Sequence, residues 1–362
     1  MSSNVLKTER SQKWDILRFF LIFTVVLGHA ADNYTGAHEH IRSLFFFIYI
    51  FHMPVFIFVS GLFAKKNIQK KRFDKLFGYI TVYIVLKIYV YLIKLLAGKD
   101  PELNFLVEGG APWFMLALFA FNLITIAVRK LPPVAVFSVS IVLACVIGYF
   151  NDVRDFLAFA RIVVYYPFFY LGYCIDRNML EEFCENKNRK IISAIILVAT
   201  AVTVFVMGDE IYWLRYLLTG RNPYYISIGD GNPVKTTPDI NENLGFVFRL
   251  LYFAAVIIIG LSLIIIIPKK TPYGICAKLG QRTLSVYGFH FGALYLIFKI
   301  LKLKPVFADI FGTHSEWIIV PIAILVTLLF SMKFFNDALT LVMNLPVIVV
   351  SKIKSNHKKT LG

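Results

Sequence analysis

The sequence predicts an all-α protein: a polytopic membrane bundle of about ten transmembrane helices with both termini on the cytoplasmic side. Three observations carry that expectation. Of 362 residues, 58% are hydrophobic, with 35 Phe and 19 Tyr, and only 17% are charged, too little polar cover for a soluble chain of this size. Apolar runs long enough to span a bilayer recur along the chain. Basic residues concentrate in alternate connections between those runs.

The runs fall at 16–34, 43–63, 77–97, 112–129, 133–150, 161–177, 190–207, 246–267, 279–300 and 317–333, each near the length a membrane helix needs. The first keeps Arg18 and His29 and lacks a small-x-small cleavage site, so it reads as a retained span. The stretch 335–350 is shorter and contains Pro346; an interfacial segment and an eleventh, imperfect span are both open for it, with ten spans favoured. The chain therefore divides into an arm, 1–15, a transmembrane domain, 16–333, and an interfacial segment with a basic tail, 334–362.

Charge tests that division. Lys7, Arg10 and Lys13, the loop AKKNIQKKRFDK, Arg129 and Lys130, Arg177 to Lys190, Lys269 to Lys278 and the tail KIKSNHKK all fall on one side. The opposite loops hold most of the acids, from Asp100, Glu102 and Glu108 to Asp239 and Glu242. The positive-inside rule puts the basic side in the cytoplasm. The formal charge of +16 then records topology, and no nucleic-acid partner is expected. Cys145, Cys174, Cys184 and Cys276 show no CxxC spacing, so neither disulfides nor structural zinc are expected. Segment 208–245 is the longest outer connection. Its apolar half, WLRYLLTGRNPYY, suits a short interfacial or re-entrant helix. No internal repeat is evident.

Ionisable groups inside spans are costly and mark functional paths. Arg18 and His29 are eleven positions apart, three helical turns plus about 20°, so both project from one face about 16 Å apart. Arg18 acting as a headgroup anchor and His29 bonding a neighbouring helix is the bland alternative. Asp15 lies more than three turns below His29, too far to orient it, and reads as a salt-bridge partner of a basic residue. His52, just before Met53 and Pro54, suits a functional group or a kink-stabilising bond equally. Ser60 before Gly61 reads more readily as helix packing than as a nucleophile, and Trp113 as an interface anchor. Arg161 suits an oxyanion donor or a snorkelling anchor, and His290 a site residue or a core hydrogen bond. In GAHEH, His38 and His40 read as a solvated loop, and no metal is expected.

Arg18, ten residues and His29 in the first of ten spans resemble the membrane-bound acyltransferase-3 family. Within it the chain is most similar to bacterial polysaccharide and capsule O-acetyltransferases, the fucose 4-O-acetyltransferase-like group. FHMPVFIFVSG, KKRFDKLFGYI, APWFMLALF, YYPFFYLGY and LGQRTLSVYGFHF resemble further family elements in order, over about residues 13–300. Two positions depart from the pattern: Gly78 stands where relatives often have Pro, and Lys75 supplies a point charge in place of a guanidinium fork.

The resemblance implies transfer of an acetyl group from cytoplasmic acetyl-CoA to a sugar hydroxyl of a cell-surface or capsular polysaccharide, or its lipid-linked precursor, in a bacterial cytoplasmic membrane. It makes His29 the catalytic base or a transient acetyl carrier, with Arg18 beside it in the chemistry. Arg18, Arg72 and Lys75 would face the CoA phosphates, although topology anchoring accounts equally well for the last two. Acetyl-CoA enters as a substrate; no permanently bound cofactor is implied. The expected partners are the donor, the sugar acceptor and the bilayer, and a homo-oligomer is left open. Two rivals remain at this level. A glycan or solute transporter would use the same Arg/His pair as a path, and a non-catalytic scaffold would tolerate loss of His29.

Overall fold

The computed structural model describes residues 11–70, 72–234, 238–271 and 274–360. Lys7 and Arg10 of the basic arm lie outside them. Eleven principal helices follow: α1 (Lys13–Ala31), α2 (Glu39–Gln69), α3 (Phe73–Leu96), α4 (Trp113–Val128), α5 (Pro133–Val146), α6 (Phe159–Cys174), α7 (Lys187–Val206), α8 (Gly245–Ile266), α9 (Thr283–Tyr295), α10 (Ile319–Phe330) and α11 (Lys333–Thr360). No strand occurs among the described residues; one isolated antiparallel bridge joins Val107 to Phe156.

Eight helical segments are long and apolar enough to cross a membrane. Seven coincide with expected spans. The other three expected spans, α4, α5 and α6, are shorter helices of 16, 14 and 16 residues. The eighth long segment, Lys333–Ile353, covers the stretch left open between an interfacial segment and an eleventh span, and is long and apolar enough to cross. Pro346 sits inside the helix.

Helix α11 lies antiparallel along α3. Leu339 packs beside Gly288 with Leu86, and Met343 sits against Gly78. The α10 helix descends from the acidic side, where Glu316 meets His40, and stops at Phe330. The chain then continues in the same sense as α11. A break at this depth frees backbone carbonyls that lipid cannot satisfy. Helix α9 supplies the donors: Ser285 Oγ donates to Phe330 O at 2.6 Å and Arg282 Nη1 to Ser331 O at 3.1 Å. Helices α10 and α11 thus meet at a break that α9 braces.

The tightest helix pair is α2 with α6. Gly61 and Gly172 form a reciprocal contact: a Cβ on Gly61 would strike the Phe169 carbonyl, and one on Gly172 the Phe58 carbonyl. Small residues let two backbones approach where apolar burial offers no driving force. Helix α1 is deeply enclosed, with Leu17, Leu21, Ile22 and Val26 fully buried among α2, α9 and α10.

Segment 208–245 folds back over the acidic end. Short helices at Gly208–Ile211, Arg215–Leu218 and Tyr224–Ser227 bury Tyr212, Trp213, Leu217 and Leu218. Its carbonyls are held from inside the bundle, Leu218 O by Tyr165 Oη at 2.8 Å and Leu217 O by the buried Arg249 at 3.1 Å. Ion pairs fix its rim: Arg215 to Asp32 at 2.7 Å, Arg221 to Asp155, and Arg42 to Asp209. The expected interfacial or re-entrant helix is therefore a cap of short turns.

Candidate active site

Two cavities lie along one face of α1, as the Arg18 to His29 spacing requires. The first, about 410 Å³, opens at the basic side and is lined by Arg18, Ser60, Asn67, Lys75, Asn122 and Tyr287, with Met343 and Asn344 of α11. The second, about 210 Å³, is lined by His29, His52, Trp113, Arg161, Tyr287 and His290. Tyr287 belongs to both, and its hydroxyl donates to the Ala111 carbonyl. A third, polar chamber of about 550 Å³ on the acidic side is lined by Lys87, Lys94, Asn104, Asp155 and Arg221, and shares Gly109, Gly110 and Phe291 with the second.

In the first cavity Arg18 donates to Asp15 and lies over the Phe63 ring, 5.2 Å from its centroid. Asp15 also accepts from Gln281 Nε2 at 3.1 Å, so it braces Arg18 and has no reach to His29. A guanidinium and an ammonium, Arg18 and Lys75, give this cavity anion-binding character. Arg72, at the start of α3, does not line it. Ser60 donates to Phe56 O at 2.9 Å within its own helix; this cavity's lining contains no imidazole to activate that hydroxyl.

In the second cavity three imidazoles from three helices converge. The ring centroids of His29 and His290 are 5.2 Å apart, and Tyr49 stands edge-on between His29, at 6.4 Å, and His52, at 4.6 Å. His52 Nδ1 lies 2.8 Å from Ile48 O and His290 Nδ1 lies 2.8 Å from Tyr287 O. Carbonyls only accept, so both rings carry the proton on Nδ1 and present Nε2 as a lone pair. The His52 bond runs to Ile48, not to the Ile50 carbonyl that Pro54 leaves without its helical donor, so it does not repair the kink. His290 Nε2 is buried with no protein partner.

Arg161 is the cation of this chamber. It is 8% exposed, lies 5.0 Å over the Trp113 ring, and its Nη1 is buried without a partner. Leu157 and Ala158, with φ of 49° and 54°, form a left-handed turn that starts α6 and delivers Arg161 inward. Buried under Arg161 at 9% exposure, Trp113 is a cavity wall and not the membrane-interface anchor expected from its position. Glu108 pairs with Lys87 at 3.1 Å and accepts from Gly110 N at 2.7 Å, fixing the glycines between the second and third chambers.

A family model described as an acyltransferase domain matches residues 12–335. The chain belongs to the acyltransferase-3 family. It is a membrane acyltransferase. No curated protein and no solved structure matches it.

Within this acyltransferase, His29, His52, Trp113, Arg161 and His290 share one chamber, while Arg18, Lys75 and Ser60 share another. Tyr49 and Tyr287 were not singled out in the sequence. Both were marked only by helical spacing, three residues before His52 and three before His290. The GAHEH histidines are not a freely solvated pair: they converge on Glu316, with His40 Nε2 2.8 Å from its Oε1.

Proposed function

We propose that the enzyme transfers an acetyl group from acetyl-CoA, bound from the cytoplasm, to a sugar hydroxyl of a cell-surface polysaccharide or its lipid-linked precursor in a bacterial cytoplasmic membrane. One observation carries the reading: a basic chamber and a polar outer chamber each share a wall with one histidine-lined chamber between them.

In this reading the CoA phosphates sit at the cytoplasmic mouth near Arg18 and Lys75, and the pantetheine arm carries the thioester toward Tyr287. The acceptor approaches through the outer chamber, where carboxylate, amide and cationic groups suit a polyhydroxyl ligand. His29, whose ring makes no hydrogen bond to the described residues, takes the proton of the attacking hydroxyl. The hydroxyl oxygen bonds to the thioester carbonyl carbon, and the developing oxyanion lies toward the unpartnered Nη1 of Arg161. Collapse breaks the C–S bond, and the proton on His29 returns to the departing CoA thiolate. The balance is one ester formed and one thioester lost.

The test compares surface glycan from cells making the wild type or His29→Ala at matched membrane levels, scoring base-labile acetyl esters. Esters in the wild type alone support the proposal. Equal esters in both remove His29 from the chemistry. Absence from both, with glycan export changed, rejects acetyl transfer to a surface glycan.

A further inference from the structure

We infer that His38, His40 and Glu316 form a binding site for a divalent transition-metal cation of the zinc type on the outer face. The inference stands apart from the acyl-transfer reading and from the three chambers.

Glu316, in the turn before α10, is 1% exposed, yet it sits at the outer end of the bundle. Its Oε1 is 2.8 Å from His40 Nε2. Its Oε2 lies 3.7 Å from His38 Nδ1 and has no hydrogen-bond partner. A buried carboxylate oxygen left unpaired is unfavourable, and no lysine or arginine pairs with Glu316 among the described ion pairs. One donor atom from each of the three side chains lies within 4.8 Å of the others. Tetrahedral zinc, with bonds of about 2.0–2.2 Å, holds its ligand atoms about 3.3 Å apart. The donor atoms, within 4.8 Å of one another, draw together by about 1.5 Å at most to reach that spacing.

The donor set fixes the class of ion. Two imidazoles and one carboxylate suit zinc and its neighbours, whereas magnesium and calcium take mostly oxygen ligands. The histidines are already oriented: His40 stacks on Trp317 with centroids 5.3 Å apart and planes at 13°, and His38 stands 6.0 Å from Tyr34. His40, at 41% side-chain exposure, leaves a fourth position open to water. The ion would tie the start of α2 to the turn before α10, segments 276 positions apart.

The test uses the full chain in lipid nanodiscs, with a streptavidin-binding tag in place of a polyhistidine tag, stripped with EDTA and dialysed. Zinc is titrated against a chromophoric chelator, and cobalt is followed by its visible ligand-field bands. Wild type is expected to bind one ion per chain, with affinity lower by about tenfold or more in Glu316→Gln and His38→Ala, and unchanged in His29→Ala. His38 is at the exposed rim, so His38→Ala serves if the buried Glu316→Gln fails to fold. Excess magnesium or calcium should not displace zinc. No saturable binding, equal affinity in wild type and His38→Ala, or binding that vanishes with His29 would each overturn the inference.

Discussion

His29 on α1 and His290 on α9 face each other across the middle chamber with ring centroids 5.2 Å apart, and their helices come from opposite ends of the chain. The two rings are unequal. His290 has its Nδ1 hydrogen committed to the Tyr287 carbonyl, while the His29 ring has no such tie. Of the two, His29 is the ring to which the proposed mechanism gives the proton transfer. His290 offers a fixed acceptor at Nε2.

Replacing His29 with Gln is therefore expected to lower acyl transfer by about 10²–10⁴-fold, the usual worth of a general base, with donor affinity retained. His290→Asn should cost less, since it removes an acceptor and not the base. Initial rates with radiolabelled acetyl-CoA in membrane vesicles check both, and an equal loss from both variants would contradict the division of roles.

Arg161→Ala should lower kcat by about 10²–10³-fold, as loss of an oxyanion donor does, with KM nearly unchanged. Arg161→Lys should recover only part, because an ammonium lacks the planar fork that rests on Trp113. A rise in KM alone would mean that Arg161 binds substrate and does not stabilise the transition state.

Arg18→Ala should act on the donor instead. The expected result is a rise of about tenfold in KM for acetyl-CoA, worth about 1.4 kcal/mol, with a smaller rise for Lys75→Ala and none for Arg72→Ala. The dependence of wild-type KM on ionic strength should flatten in Arg18→Ala. Titrating donor at two salt concentrations reads both effects.

Gly61→Ala places a methyl on the Phe169 carbonyl and should destabilise the bundle by about 1–3 kcal/mol, as overpacking does. Gly172→Ala, the other half of the contact, should behave alike. Thermal unfolding in detergent checks this, and wild-type Tm in both variants would show that α2 and α6 separate without cost.

The sequence revealed what a single helix can encode. Arg18 and His29 share a face because three turns bring them there, and both line chambers on that face. The recurring apolar runs likewise foretold seven of the eight helices that are long and apolar enough to cross a membrane. What stayed hidden needed contacts between distant segments. Trp113, Arg161, His52 and His290 reach His29 from four other helices, and no local pattern says that they meet. The same holds for Glu316, which meets His40 from 276 positions away. Helix α11 stayed open between interface and span because Pro346 and flanking charge look like an ending. Its position depends on α3, and the break before it on donors from Ser285 and Arg282.

Tyr287 has a consequence for the bilayer itself. If the proposed transfer from a donor in one compartment to an acceptor in the other holds, the enzyme risks becoming a leak. Here one phenol, pinned to the Ala111 carbonyl, lines both the basic cavity and the histidine chamber. The transmembrane voltage, about 2.3 kcal/mol per charge at 100 mV, would then drop steeply across a wall one side chain thick. An acyl group can be handed past such a wall while protons and ions are held back. Tyr287→Gly should make proteoliposomes conduct, read as faster collapse of an imposed potassium diffusion potential, whereas Tyr287→Phe should keep them sealed. In that light the residue serves the cell as insulation as much as the enzyme as a partition.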